Sequence, residues 1–324
     1  MIPVSIITGF LGSGKTTLLN HIVRQPGMAD TAVIVNEFGE IGLDHLLIEQ
    51  AFEDTVLLEN GCICCSIRGD LVDTLIDLEH RVERGDLPAF SKTIVETTGL
   101  ADPAPILQTL MSEPRLQQHY ALERIVATVD AVNAAGQLDE FEECVKQIAL
   151  ADHLLLTKSD LSSPAAAAAL KERVRAVNPS APLSEIDHGK ASPDILFGTG
   201  PGGERDLTAW LHHGHDHGGD TAINSFALTI DEPLPWEAVK SWLESIASLR
   251  GSDLLRVKGI LNVAGRNGPV VVHGVQHVFH PPVELDAWPD ETRTTRIVFI
   301  TRNIEKIALE NALSAFVARA SAVA

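Results

Sequence analysis

Eight residues near the N-terminus constrain this chain more than any others: Gly9-Phe10-Leu11-Gly12-Ser13-Gly14-Lys15-Thr16. They match the pattern GxxxxGK[ST]. They also stand where that pattern has physical meaning, after the apolar run Val4 to Thr8 and before the periodic stretch Thr16 to Val23. Strand, glycine-rich loop and helix in that order aim consecutive backbone N–H groups and a helix N-terminus at one anion. Lys15 then reaches the β- and γ-phosphates of a nucleotide, and the Thr16 hydroxyl ligates Mg²⁺. Gly9, Gly12, Ser13, Gly14, Lys15, Thr16 and Thr17 are the expected phosphate contacts, with Lys15 and Thr16 also assigned to catalysis.

Further short apolar runs follow at Ala32 to Val35, Thr55 to Leu58, Thr93 to Val95, Ile125 to Val129 and His153 to Leu156. Each is too short and continuous for a surface helix and suits a parallel sheet covered on both faces. Helical patterns alternate with them. Leu71, Leu75, Leu78 and Val82 share one face, as do Phe141, Val145 and Ile148, and Ala165 to Val177 opens behind Pro164. The alternation implies right-handed crossovers and a doubly wound α/β domain of the P-loop NTPase type with a mainly parallel sheet, assigned to residues 1–197. Glycines then interleave with His212, His213, His215 and His217, a linker over 198–221 whose imidazoles suit weak chelation of Zn²⁺ or Ni²⁺. Residues 222–324 are expected to form a smaller α+β domain. Its strands are Ser225 to Ile230, Leu254 to Val263, Val270 to Phe279 and Thr294 to Thr301, and its helices Trp236 to Leu249 and Ile304 to Val317, in the order β-α-β-β-β-α.

Composition narrows the partners. The chain has 324 residues and a formal net charge of −19, from 25 Lys and Arg against 44 Asp and Glu, with no local basic patch to reverse it. A phosphate backbone would be repelled, so nucleic acid is excluded as a partner. No apolar run approaches membrane-spanning length, and MIPVSIITGF lacks the basic segment and cleavage site of a secretory signal. A cytoplasmic, membrane-independent protein is expected; its oligomeric state is not encoded in these patterns.

Thr157-Lys158-Ser159-Asp160 follows the last apolar strand, at the edge where a doubly wound sheet presents its ligands. The Asp160 carboxylate accepts both the N1–H and the exocyclic amine of guanine, a donor pair that adenine lacks, and the Lys158 stem lies along the base plane. A kinase or ATPase working on ATP is the alternative that this segment opposes. Two acidic segments are candidates for hydrolysis. Glu96, ending its strand, is expected to hold Mg²⁺ through water, with the Gly99 N–H sensing the γ-phosphate. Asn36 to Glu40, followed by Asp44, lies where a nucleotide-ordered loop is expected. No glutamine is placed to orient water and no arginine finger is evident, so slow intrinsic turnover follows.

Three of the four cysteines, Cys62, Cys64 and Cys65, fall within four positions, and Cys144 stands alone on a packed helix face. Cys62 and Cys65 have the spacing that lets two thiolates meet one ion, and Cys64 adds a third sulfur if the loop folds back. The cluster is read as a tight turn leading into a helix that starts near Ser66. Soft sulfur ligands favour Zn²⁺, Cu(I) or Co²⁺ over Mg²⁺. Glu37, Glu40, a histidine or water supplies the fourth ligand, and an open position suits transfer better than structural binding. A redox CxxC is the other use of such a cluster, at odds with the P-loop context. His273, His277 and His280 are read as structural or solvated.

Taken together, GFLGSGKTT, VNEFGEIGLD, GCICC, ETTGLADP, TKSD and LLRVKGIL make a sequence that resembles the CobW-like (YjiA-type) branch of the metal-centre-assembly P-loop GTPases. That group also holds the urease and hydrogenase nickel-insertion accessory GTPases. The resemblance spans nearly the whole chain. It implies GTP and GDP binding, slow Mg²⁺-dependent hydrolysis, zinc binding at the CxCC, and delivery of a metal to a client protein. By matching position it gives Lys15 and Thr16 the P-loop roles, Glu96 the Walker-B-like role, and Lys158 with Asp160 the guanine contact. Some relatives carry a carboxylate where Val35 stands here. Cobalamin assembly, nitrile hydratase maturation, other transition metals and a nucleotide-regulated zinc buffer are the alternative roles.

Overall fold

The computed structural model of the protein describes residues 1–36, 56–57, 63–67, 71–198, 223–288 and 292–322, and the chain divides into two compact units. The first comprises Met1–Lys171 and Leu183–Pro201, the second Gly202–Ala324 together with Glu172–Pro182.

Apolar runs of the first unit become strands β1 Ile2–Gly9, β2 Thr31–Asn36, β3 Val56–Leu57, β4 Ile63–Ile67, β5 Lys92–Glu96, β6 Tyr120–Asp130, β7 His153–Thr157 and β8 Leu183–Glu185. They form one sheet of eight strands in the order β3-β4-β2-β5-β1-β6-β7-β8. Every neighbouring pair is parallel except β3 with β4. Helices α1 Lys15–Val23, α2 Leu71–Glu83, α3 Ala104–Ser112, α4 Pro114–Gln117, α5 Ala134–Glu140, α6 Glu142–Leu150 and α7 Pro164–Val177 supply the crossovers. Leu18, Leu19, Ile22 and Val23 of α1 pack on Ile7, Val33, Ile94, Val126 and Leu155, one residue from each of five adjacent strands. Such continuous burial is why these strands read as unbroken apolar runs. The doubly wound α/β expectation holds.

Two local readings change. The strand expected over Ile125 to Val129 starts at Tyr120, because Ala121 to Arg124 are half-buried and the charged Glu123 and Arg124 interrupt the apolar run. The cysteine segment is not a turn running into a helix at Ser66. Ile63–Ile67 is β4, paired with β2 from Ala32↔Ile63 to Asn36↔Ile67, and α2 begins only at Leu71. Without β4 the outer edge of β2 would present a row of unpaired N–H and C=O groups, and cysteine suits an apolar strand as a small hydrophobe.

In the second unit, β9 Ile223–Ile230, β10 Leu254–Leu261, β11 Val270–Val275, β12 Val278–Phe279 and β14 Thr295–Arg302 make an antiparallel sheet in the order β12-β11-β10-β14-β9, with β13 Val283–Glu284 on β11. Helices α8 Trp236–Arg250 and α9 Lys306–Ser321 bury Val239, Trp242, Leu243, Ile246, Leu309 and Leu313 against one face. The Trp242 ring meets Phe299 edge-on at 5.7 Å. The single strand expected over Val270 to Phe279 divides at Gln276, which turns the chain with φ 51°. His277 in that turn hydrogen-bonds the Ala247 carbonyl through Nδ1 at 2.8 Å, which makes it structural.

Candidate functional site

The phosphate loop is built by three glycines with positive φ. Gly9, Gly12 and Gly14 have φ of 137°, 71° and 95°, and Gly14 also caps α1 without any side-chain hydrogen bond. The N-terminal amides of α1 are thus presented to an anion rather than to a serine or aspartate cap. Lys15 is buried at 8% exposure and donates to the Phe10 carbonyl at 3.2 Å, so its ammonium is folded back over the loop. Ser13 shares a 2.6 Å hydroxyl hydrogen bond with Thr128 of β6, which fixes the loop to the sheet. Thr17 is exposed, and its carbonyl lies against Gly189, in the loop that follows β8.

On the same loop, Thr16 Oγ1 donates to Glu96 Oε1 at 2.8 Å. Glu96 ends β5 and is 5% exposed. A hydroxyl and a carboxylate held together beside Lys15 form an all-oxygen donor pair, the chemistry a hard divalent cation selects. The segment after Glu96 is anchored on both sides. Thr97 donates through its N–H to Ile7 O at 2.9 Å, and its hydroxyl donates to Thr8 Oγ1 at 2.9 Å. Gly99 lies so close to the phosphate loop that a Cβ there would stand 2.7 Å from the Leu11 nitrogen. Its carbonyl, with that of Ala101, accepts from the buried Gln147 of α6 at 3.1 and 3.0 Å.

The segment after β7 clasps the loop from the other side. Thr157 Oγ1 donates to the Ser13 carbonyl at 2.8 Å and to that of Val129 at 3.3 Å. Lys158 holds a left-handed backbone, φ 56°, and its ammonium bridges Gly12 O at 2.7 Å and Asp130 Oδ2 at 2.8 Å. Burial pushes the Asp130 carboxyl up, but hydrogen bonds from Lys158, Asn133 and the Val132 amide outweigh it and hold the group below the usual carboxylate range. Asp160 sits exposed on a 3₁₀ turn, Ser159–Leu161.

The fold therefore gathers Gly9 to Thr17, Glu96, Gly99, Thr157 and Lys158 around the loop. Glu37, Glu40, Cys62 and the histidine-rich stretch lie outside the described residues. Cys64 and Cys65 lie on β4, with Cys64 opposite Val33 and Cys65 opposite Ile34 of β2. Among the described residues no group of three or more His, Cys, Asp and Glu is placed to hold one metal ion. Val35 packs on the α1 core and is in register with Ser66 on one side and Glu96 on the other. Sequence reasoning missed Asp130, Thr128 and Gln147. Asp130 alone carried a signal, a polar residue closing an apolar strand, as Thr157 does.

Comparison with known proteins gives a consistent result. The model of the CobW/HypB/UreG nucleotide-binding domain matches residues 3–185, and that of the cobalamin synthesis protein CobW C-terminal domain matches 223–317. The zinc chaperone YjiA of Escherichia coli is 37% identical over 303 residues, covering 92% of this chain and 93% of its own. The zinc chaperone CobW of Pseudomonas aeruginosa is 30% identical over 348 residues, covering 96% and 90%. The crystal structure of zinc-bound YjiA GTPase from E. coli superposes with a TM-score of 0.72 at 31% identity, covering 97% of this chain and 98% of that one. No helix among the described residues is long and apolar enough to cross a membrane.

Proposed function

The chain belongs to the CobW/HypB/UreG family, and from that premise we propose that it is a slow GTPase that carries zinc to a client protein. The observation that carries the nucleotide half of this reading is the Thr16–Glu96 hydrogen bond at 2.8 Å beside the buried Lys15. Mg²⁺ would be held by Thr16 and Glu96, and when bound it would neutralise charge developing on the β- and γ-phosphates. The remaining work falls to the chain itself. Lys15 and the amides from Gly12 to Thr17 bind the phosphates, the Gly99 N–H senses the terminal phosphate, and Lys158 with Asp160 reads guanine. Slow turnover rests on the sequence, in which no glutamine is placed to orient water and no arginine finger is evident.

Zinc is the cargo rather than a resident cofactor. Cys64 and Cys65 lie on β4, and a single strand, β2, separates β4 from the Glu96 strand β5. At the spacing of sheet strands that is roughly 10 Å. Glu37 and Glu40, which follow β2 in the sequence, complete the proposed link between nucleotide and cargo. The C-terminal domain expected over residues 222–324, beyond the histidine-rich linker, is the proposed client-recognising part in the cytoplasm. Linkage sets the test: if GTP tightens zinc binding by some factor, zinc tightens GTP by the same factor. Zinc titrations by chelator competition are run with GDP, with a non-hydrolysable GTP analogue and without nucleotide. We expect affinities that differ by about tenfold or more between nucleotide states. One affinity for all three removes the coupling.

A further inference from the structure

Asp130 is assigned no role by the nucleotide chemistry above, yet its carboxylate accepts four hydrogen bonds. It closes β6, and its side chain is 1% exposed beside a Lys158 side chain at 36%. Oδ1 accepts from the Val132 and Asn133 amides at 2.8 and 3.3 Å, and Oδ2 accepts from Asn133 Nδ2 at 2.9 Å and Lys158 Nζ at 2.8 Å. Three of these bonds shape the local turn into α5. The fourth leaves the turn and ends on the lysine that touches the phosphate loop.

Lysine is a poor positioning element by itself. Its stem has four rotatable bonds, and fixing them costs side-chain entropy whenever a ligand must do it. Here both ends are fixed in the structure. The backbone sits at φ 56°, a conformation that a non-glycine residue keeps only where its surroundings over-determine it. The ammonium is held between the Gly12 carbonyl at 2.7 Å and the Asp130 carboxylate. A charge-assisted bond to a buried carboxylate is the stronger of these two contacts.

We propose that Asp130 is a positioning residue for nucleotide binding, holding the Lys158 ammonium against Gly12 so that the lysine stem is set across the base site before the nucleotide arrives. The proposal rests on Lys158 lying along the base, as read above, and its test separates the two.

The test is a double-mutant cycle read by mant-GDP affinity. Asp130→Asn keeps the size of the side chain but removes the charge that pairs with Lys158: turned one way its NH₂ faces the Lys158 ammonium, turned the other its oxygen offers that ammonium only a neutral acceptor, so the charge-assisted link is lost in both. We expect Asp130→Asn to raise the mant-GDP Kd about tenfold in the native background. In a Lys158→Met background, where the pair no longer exists, the same change should alter Kd by less than about twofold. Equal factors in the two backgrounds, or no change in the native one, overturn the proposal, because a purely structural carboxylate acts with or without the lysine. Thermal melting of each variant monitors folding. If Asp130→Asn does not fold, Asp130→Glu runs the same cycle against the same criterion. A chain that folds with neither overturns the assignment too, since the carboxylate then serves the fold. The guanine reading fails separately, if the native protein binds ATP as tightly as GTP.

Discussion

Gly9 closes β1 beside Thr128 of β6, and replacing it with alanine separates two costs that glycine substitutions usually mix. At Gly12, φ is 71° and a new Cβ would meet nothing within 4 Å, so Gly12→Ala carries backbone strain alone. That strain is ~1–2 kcal/mol, partly offset by ~0.4–1 kcal/mol from a stiffer unfolded chain. At Gly9, φ is 137° and the added Cβ would stand 2.5 Å from the Thr128 carbonyl oxygen and 2.8 Å from Ser13 Oγ. The hydroxyl can rotate away; the carbonyl belongs to β6, whose ladder with β1 runs from Ile2↔Tyr120 to Gly9↔Thr128. Forcing them apart adds an overpacking cost of ~1–3 kcal/mol, for a net loss of about 3 kcal/mol against about 1 for Gly12→Ala. In a unit of this size 1 kcal/mol moves the midpoint by roughly 2–4 °C, so Gly9→Ala should melt roughly 6–12 °C lower than the native protein. The assay is calorimetry of the nucleotide-free protein, following the transition that GDP raises, since a two-unit chain need not unfold in one step. A Gly9→Ala midpoint within about 2 °C of that of Gly12→Ala refutes the argument that the missing Cβ sets the β1 to β6 approach.

Three further outcomes follow from the same contacts. Glu96→Gln keeps the shape of the acceptor for Thr16 but removes its charge, so single-turnover phosphate release from GTP should fall about a hundredfold. Mant-GDP affinity measured without Mg²⁺ should stay within about threefold, because Glu96 bonds to Thr16 rather than to the phosphate amides. Thr157→Val is near-isosteric and deletes the one hydroxyl serving the Ser13 and Val129 carbonyls, so urea denaturation should show a loss of about 1–3 kcal/mol. The depressed Asp130 carboxyl makes stability depend on acid in one direction: the unfolded chain takes up the proton first, so the stabilisation is complete above the ordinary carboxylate range and is lost as pH falls through the lower folded value. The urea midpoint of Asp130→Asn should therefore lie below the native one at pH 7, and the difference should shrink steadily as pH falls below the ordinary carboxylate range. A difference that persists unchanged in acid contradicts the sign.

What the chain declares in its sequence is what it builds from contiguous residues. The glycine pattern, Lys15 and Thr16 sit on one strand-loop-helix unit, and each needs only its neighbours to be recognised. Glu96 and Lys158 were legible because each closes, or directly follows, an apolar strand at the edge where such sheets bind ligands. Residues that support the site from a distance were not. Thr128 acts on Ser13 from 115 positions away, and Gln147 acts on Gly99 from 48. Neither spacing has a local signature, because parallel strand order decides which edges meet. The cysteine segment failed differently. Ile63 to Ile67 satisfies both a thiolate motif and an apolar strand, and the motif drew attention from the pairing that β2 needed. The start of β6 was missed for the opposite reason, since the half-buried charged residues Glu123 and Arg124 interrupt the apolar run that marks a strand.

That correction at β4 changes how the proposed link between nucleotide and cargo must work. Had the cysteines sat in a turn, the turn alone could have yielded when the nucleotide changed. Instead the backbone of Cys64 and Cys65 is laddered to β2, and β2 is laddered on its other side to β5, from Thr31↔Lys92 to Val35↔Glu96. A strand paired on both edges cannot slide without breaking two rows of hydrogen bonds, so β2 is a fixed spacer rather than a lever. Any change of zinc affinity must then be carried by what leaves the carboxyl ends of these strands. The residues after Asn36 contain Glu37 and Glu40. The residues after Glu96 contain Gly99, which abuts the phosphate loop and is tethered through Gln147 to α6. With the sheet fixed, nucleotide state would alter which of these side chains reach the cargo while leaving the cysteine strand where it is.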